Sequence, residues 1–177
     1  MYALIAIFDR DSRKQIKELW DYLNREGISD YAFQVENREP HLTIADFEFI
    51  DSTNLQSIEN FVRNVPTPTL TIAGISSFLE TNIITLSIDK KQALVTWHDN
   101  FYNILSEIVD RESFYSPKNW LPHITIANRV SCDKLGIAFE LSHRIWSKKE
   151  VEISALQVIK INKFDVEVIA QFDCNLS

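Results

Sequence analysis

Few of the residues that build specialised scaffolds occur in this chain. Its 177 residues include two cysteines, Cys132 and Cys174, and no CxxC pair, which excludes a disulfide framework. Three glycines and five prolines are too few for long disordered linkers. With so little cysteine, we expect a reducing, cytoplasmic location.

Long apolar runs are missing as well. A membrane-spanning helix needs roughly 20 consecutive apolar residues, and no stretch of the sequence approaches that length. The short apolar run at residues 2–8 is followed at once by charged residues, unlike the hydrophobic region of a secretory signal. We therefore expect no membrane partner.

Positive charge is in deficit. The chain carries 18 Lys and Arg against 25 Asp and Glu, a net charge of −7. Proteins that hold long nucleic acids through many phosphates usually present a basic surface. A long duplex is thereby excluded as a partner. Any phosphate site must be local, and it would hold a small nucleotide or a short RNA end.

Apolar spacing predicts strands alternating with helices in one domain. The first helix is predicted to start at a Ser12–Gln15 capping box and to end at Gly27, and the second to start at Thr53. The other helices are predicted at 94–108 and about 132–143. The predicted strands are 2–8, 31–35, 41–50, 69–79, 83–88, 113–115, 123–130, 151–160 and 164–172, with turns at 148–150 and 162–163.

One phrase occurs twice: residues 37–46 read NREPHLTIAD and residues 119–128 read NWLPHITIAN, 82 residues apart. The same offset relates most of the predicted elements on either side. The sequence therefore indicates an α+β fold made of a duplicated lobe, about 1–80 and 83–172, with a pseudo-twofold axis. Two such lobes would face each other across a central groove.

Strand alternation predicts which side chains line that groove. The two predicted sets are His41, Thr43, Ala45 and Phe47 from the first copy, and His123, Thr125, Ala127 and Arg129 from the second. Two imidazoles on opposite sides of a bound group suit concerted acid–base chemistry near neutral pH. The threonine hydroxyls and Arg129 are candidates for binding phosphate oxygens. No metal or other cofactor is required.

These motifs resemble those of the two-histidine (2H) phosphoesterase superfamily, which includes bacterial 2′-5′ RNA ligases and 2′,3′-cyclic phosphodiesterases. Residues 41–44 (HLTI) and 123–126 (HITI) both match its H-x-[ST]-hydrophobic pattern, and the resemblance extends from residue 1 to about 172. It implies two antiparallel sheets flanked by helices around a groove, and metal-independent chemistry on a 2′,3′-cyclic phosphate or a 2′,5′-phosphodiester. It further implies that His41 and His123 are the acid–base pair and that Thr43 and Thr125 hold the phosphate.

The residues after each motif depart from the RNA ligase pattern. Asp46, Phe47 and Glu48 replace a Phe-Leu-Gly-like run, and Asn128 separates the second motif from Arg129. The chain thus resembles a less characterised bacterial branch. A module that binds a phosphorylated nucleotide or RNA end without turnover is the alternative to an enzyme. A structural protein, with the imidazoles too far apart to share a phosphate, is the third possibility.

Further residues are candidates for lining the groove. Phe8 and Phe47 would form its walls, Tyr115 and Trp120 would stack on a base, and Lys118 would contact a phosphate. For the aromatic residues, packing inside a lobe is the stronger alternative. His98 is expected at the edge of a helix or on the surface, and His143 near a helix C-terminus. We expect a monomer, because the paired lobes already contact each other.

Overall fold

The computed structural model describes residues 1–147, 150–162 and 165–174. This part of the chain forms four helices and eight strands. The strands are β1 (Tyr2–Phe8), β2 (His41–Phe47), β3 (Leu70–Ser77), β4 (Ile84–Ile88), β5 (His123–Ala127), β6 (Glu150–Val151), β7 (Ile153–Ile161) and β8 (Val166–Asp173). The helices are α1 (Arg10–Arg25), α2 (Ser52–Asn64), α3 (Gln92–Ile104) and α4 (Leu135–Ile145), with 3-10 turns at Tyr31–Phe33 and Cys132–Lys134.

Two antiparallel sheets carry the fold, in the orders β2-β1-β7-β8 and β5-β4-β3-β6. The elements related by the repeat are β1 with β4, β2 with β5, and β3 with β7. The first three strands of each sheet therefore follow the same order. However, β3 from the first half joins the second sheet, and β7 from the second half joins the first. The predicted fold class is confirmed, and each sheet draws strands from both sides of the proposed repeat boundary.

Both motif strands carry a bulge at the same place. Along β1, Leu4 pairs with Ala45 and Ile5 pairs with Thr43, so Ile44 is passed over. Along β4, the pairing skips Ile126 in the same way, between Ala127 and Thr125. An extra residue in one strand shifts the alternation of every side chain that follows.

The two lobes share one hydrophobic core. A single continuous cluster of buried side chains includes Leu4 and Ile44 from the first sheet, and Leu86 and Ile126 from the second. Apolar residues at the predicted helical spacing on α1 and α3 supply its outer layers. Because the lobes are joined through this core, their motif strands are held in a fixed relation. No helix in the described ranges is long and apolar enough to cross a membrane.

The helix starts differ from the predicted ones. Asp9 caps α1 and its side chain accepts a hydrogen bond from the Ser12 backbone N–H (2.9 Å). In α2 a reciprocal capping box joins Asp51 and Asn54. Asp9 lies three residues before the predicted cap Ser12, and Asp51 lies two residues before the predicted start Thr53. Each aspartate takes the cap because its carboxylate accepts a backbone N–H and also interacts favourably with the positive helix N-terminus.

Two short strands were predicted wrongly, at 31–35 and at 113–115, where the chain forms turns. In each turn a serine hydroxyl accepts from the backbone N–H two residues later: Ser29 from Tyr31 (3.3 Å) and Ser113 from Tyr115 (3.0 Å). Such local side-chain bonds compete with strand pairing. The predicted strand 151–160 is divided into β6 and β7, and the predicted turns at 148–150 and 162–163 lie partly outside the described residues.

Candidate active site

The two histidines begin their strands in matching settings. Strands β2 and β5 contact each other across the two sheets, and both imidazoles are half-buried. Nδ1 of His41 donates to the carbonyl of Glu39, and Nδ1 of His123 donates to the carbonyl of Leu121, both at 2.7 Å. Because a carbonyl can only accept, these contacts place the proton on Nδ1. In each neutral ring Nε2 is therefore left as the proton acceptor.

The electrostatic environment favours the neutral form of both rings. Burial lowers the pKa of His41, and the charges on Arg38 and His123 lower it further, against the opposing influence of Glu39. Burial also lowers the pKa of His123, and the hydrogen bond to Leu121 partly offsets this. The effect of His123 on His41 indicates that the two imidazoles lie within electrostatic reach of each other.

The two threonines lie one pleat beyond the histidines, before the bulge, and are half-buried. Tyr115 lies beside Thr43: burial raises the pKa of the Tyr115 hydroxyl, and the nearby side chain of Thr43 partly offsets this rise. Their backbone carbonyls accept from buried indoles: Trp120 Nε1 donates to Thr43 (3.0 Å) and Trp20 Nε1 donates to Thr125 (3.2 Å). A tryptophan from outside each motif strand thus holds each threonine in place.

Two buried rings, Trp120 and His98, pack together and hydrogen-bond the backbone of the first motif strand. Trp120 is 2% exposed and stacks on His98 with the ring centroids 3.7 Å apart, so it offers no free face to a base. His98 Nε2 donates to the carbonyl of Ile44, the bulge residue, at 3.0 Å. The expected surface position of His98 is therefore wrong: it is 1% exposed, and burial lowers its pKa to about 4.

After the bulge, polar residues take over the half-buried positions. Asp46 accepts from the Ser113 hydroxyl (2.5 Å). Asn128, its counterpart in the second copy, donates its backbone N–H to the Ser29 hydroxyl (3.1 Å) and bonds the amide of Gln34. Each motif strand therefore ends against a loop from the opposite half of the chain.

The bulges correct four of the predicted groove residues. Ala45 and Ala127 are buried in the core, and so is Phe47, which is 4% exposed and stacks on Tyr2. Arg129 lies beyond Ala127, the last residue of β5, in an exposed left-handed conformation (φ 51°). Regular alternation placed these side chains on the histidine face, and the extra residue in each strand removes that basis.

The other residues predicted to line the groove range from fully buried to exposed. Phe8 is fully buried in the core and forms no groove wall. Lys118 is exposed on the turn before the second motif, whereas Tyr115 is half-buried beside Thr43. The ring of Phe78 makes an edge contact with His123, with the centroids 4.8 Å apart, and no sequence signal singled it out.

Arg38 is the main functional candidate that sequence reasoning missed. Its guanidinium carbon lies 4.1 Å from the centre of the Tyr31 ring, and its charge acts on His41. A signal was present in the repeated phrase, where the first copy has Arg38 and the second has Trp120. The two serine–tyrosine turns, at 29–31 and 113–115, were a second matched feature.

The remaining histidine and the cysteines lie apart from these motifs. His143 is in the last turn of α4 and exposed, as predicted. Cys132 is exposed and Cys174 is buried, and both are free thiols. Within the described ranges, no three His, Cys, Asp or Glu side chains form a group that could hold a metal ion.

Comparison with solved structures identifies the class of fold. Escherichia coli LigT in its apo form matches with a TM-score of 0.62 at 12% identity, over 99% of this chain and 97% of LigT. LigT complexed with NADP+ matches with a TM-score of 0.60 at 12% identity, over 99% and 97%. A crystal structure of a phosphoesterase matches with a TM-score of 0.59 at 13% identity, over 99% and 98%. At these identities the likeness establishes the fold.

The family follows from the sequence itself. The model of the 2′-5′ RNA ligase superfamily matches residues 8–164, most of the chain. The chain belongs to this superfamily, which confirms the resemblance drawn from the two motifs and places it among phosphoesterases and RNA ligases. A comparison with curated proteins finds no significant match.

Proposed function

We propose that the protein is a metal-independent phosphoesterase that hydrolyses a 2′,3′-cyclic phosphate or a 2′,5′-phosphodiester of a nucleotide or short RNA end. The reverse reaction would be 2′-5′ ligation. The observation that carries the proposal is the matched pair of histidines, each held by Nδ1 so that Nε2 is available. When one imidazole is neutral and the other is protonated, the neutral ring can accept a proton while the protonated ring donates one.

The chemistry can be written for ring opening of a cyclic phosphate. Nε2 of one histidine takes a proton from water as the water oxygen bonds to phosphorus. Nε2 of the other, protonated, histidine gives its proton to the departing ribose oxygen as that P–O bond breaks. Thr43 and Thr125 would donate hydrogen bonds to non-bridging oxygens, where negative charge develops.

A small phosphorylated nucleotide is the substrate class that fits best. The net charge of −7 disfavours a long polyanion, so the recognised phosphate must be local. LigT, which shares the fold, has been crystallised with 3′-AMP, ATP and phosphate. We therefore propose a nucleotide or short RNA end carrying phosphate as the ligand.

A non-catalytic nucleotide-binding module is the second candidate. Asp46 favours it, because this half-buried carboxylate follows Thr43 on the first motif strand. A fixed negative charge near a phosphate opposes the further charge that develops during displacement. In such a module the ligand would bind and stay intact.

The test is direct. The protein is incubated with adenosine 2′,3′-cyclic phosphate and with a 2′,5′-linked dinucleotide, with a chelator present, and products are separated by chromatography. The His41→Ala/His123→Ala double variant, checked for folding by circular dichroism, serves as the blank. We expect turnover by the unaltered protein only. Tight binding of an intact ligand after long incubation would favour the binding module, and equal turnover by the double variant would exclude the histidine mechanism.

A further inference from the structure

The repeated phrase differs in chemistry at Arg38 and its counterpart, Trp120. Trp120 is buried and donates its indole N–H to the carbonyl of Thr43. In the other half the matching bond, to the carbonyl of Thr125, comes instead from Trp20 on α1. Because Trp20 provides this support, position 38 is not needed for it and holds a cation.

The guanidinium of Arg38 is held in place by aromatic packing. It lies over the ring of Tyr31 at 4.1 Å, and Tyr31 is in turn packed edge-on against Trp20 at 5.7 Å. Asn37, immediately before it, adopts a left-handed conformation (φ 54°), which an asparagine tolerates. A planar guanidinium stacked on an aromatic face keeps its N–H donors at its edge, available for an oxyanion.

No carboxylate in the described part of the chain neutralises this cation. Its neighbour Glu39 is instead bound by two cations from α1, Lys17 at 2.6 Å and Arg13 at 3.6 Å. The Nε of Arg38 is buried and has no hydrogen-bond partner among the described residues. A half-buried charge and an unsatisfied donor are costly unless a ligand compensates them.

We infer that Arg38 binds the phosphate of the substrate, with its guanidinium donating to a non-bridging oxygen of the group held between His41 and His123. The inference rests on the proposed function in placing that phosphate between the two histidines. It assigns to Arg38 the role that strand alternation had predicted for Arg129. The ligand class is a phosphate ester, and Arg38 would bind its negative charge from the side of the groove that carries His41.

The test measures equilibrium binding, so it does not depend on turnover. Isothermal titration calorimetry with inorganic phosphate, adenosine 3′-monophosphate and adenosine compares the unaltered protein with Arg38→Met and Arg38→Lys. Arg25→Met is the matched control, since Arg25 is an exposed arginine over a tyrosine, 5.7 Å from the Tyr22 ring. Arg129→Met tests the rival position.

We expect Arg38→Met to weaken binding of phosphate and of the monophosphate about 10- to 100-fold, the size of a lost charged hydrogen bond. Arg38→Lys should fall between, because it keeps the charge without the planar donors. Arg25→Met and Arg129→Met should stay within about twofold of the unaltered protein, because screened surface charges contribute little. Adenosine binding should not change.

Three results would overturn the inference: equal losses in all arginine variants, a loss confined to Arg129→Met, or no phosphate binding by the unaltered protein. If Arg38→Met fails to fold, the inference would also be overturned by unchanged phosphate binding in Arg38→Lys together with weaker binding in Arg129→Met. Binding that depends on Arg38 without any turnover would support the inference while rejecting the proposed hydrolysis. Turnover of the cyclic phosphate, with phosphate binding unchanged in the Arg38 variants, would support the proposed hydrolysis and reject the role of Arg38.

Discussion

The two half-sites share their backbone construction and differ in the charges they carry. Both have a histidine anchored through Nδ1 to the carbonyl two residues before it, a bulge after the threonine, and an indole that donates to the threonine carbonyl. The counterparts differ where side chains meet the loops: Arg38 corresponds to Trp120, and Asp46 to Asn128. The shared geometry presents two similar imidazoles, and the differences make their surroundings unequal.

The two motifs have differently charged surroundings. Arg38 and Tyr31 belong to the loop that packs on Asn128, whereas Asp46 packs on the loop that carries Ser113. Both charged residues belong to the first copy of the motif, and the second copy has Trp120 and Asn128 at the matching positions. A symmetric site would leave the acid and base roles interchangeable, whereas unequal charges distinguish them.

The sharpest way to break the comparison is to remove one histidine at a time. If both histidines act on one phosphate, His41→Ala and His123→Ala should each lower kcat about 10²- to 10⁴-fold. The kcat of the double variant should then be no lower than that of the less active single variant. Steady-state kinetics on adenosine 2′,3′-cyclic phosphate measures this. His143→Ala, which changes an exposed histidine on α4, is the control. Independent, multiplying losses would mean that the half-sites do not form a unit.

A second difference between the halves is His98, whose counterpart at the same offset is Ile16. Because its folded-state pKa is lowered from 6.5 to about 4, the unfolded chain binds the proton first as the pH falls. The contribution of His98 to stability is thus complete above pH 6.5 and is lost as the pH falls from 6.5 to about 4. At 1.36 kcal/mol per pKa unit, the free energy of unfolding falls by about 3 kcal/mol over this interval.

Urea unfolding at about pH 7.5 and about pH 4 tests this. His98→Gln keeps an amide N–H for the carbonyl of Ile44 but does not titrate. Its free energy of unfolding should fall by about 3 kcal/mol less than that of the unaltered protein over this interval. The other titrating groups are common to both proteins and cancel in the difference. Identical pH dependence would show that His98 is not held neutral.

The smallest expected effect concerns the two indoles. Trp20→Phe and Trp120→Phe each remove one hydrogen bond to a threonine carbonyl, so each should lower the free energy of unfolding by about 1 kcal/mol beyond the loss of ring volume. Trp146→Phe corrects for volume, because Trp146 Nε1 has no partner among the described residues. Denaturant unfolding gives the comparison. Clearly unequal losses would show that the two indoles are not equivalent supports.

Much of the fold was predictable from local patterns. Apolar periodicity located all four helices and most strands, because burying one face of a helix or strand leaves a period in the sequence. The repeated phrase located His41, Thr43, His123 and Thr125 in matching strands. The turns at 29–31 and 113–115 were missed because serine hydroxyls satisfy backbone donors there, and nothing in the apolar pattern records that.

The sequence by itself determined the duplicated motifs, the family and the residue types at the site. Only the tertiary structure decided that β3 and β7 join the sheet of the opposite half, because strand pairing across long separations leaves no local period. It also decided which side chains of the motif strands are buried in the core. One extra residue at Ile44 and at Ile126 turns Phe47 into the core and removes the alternation that pointed to Arg129, while packing on Tyr31 brings Arg38 beside His41.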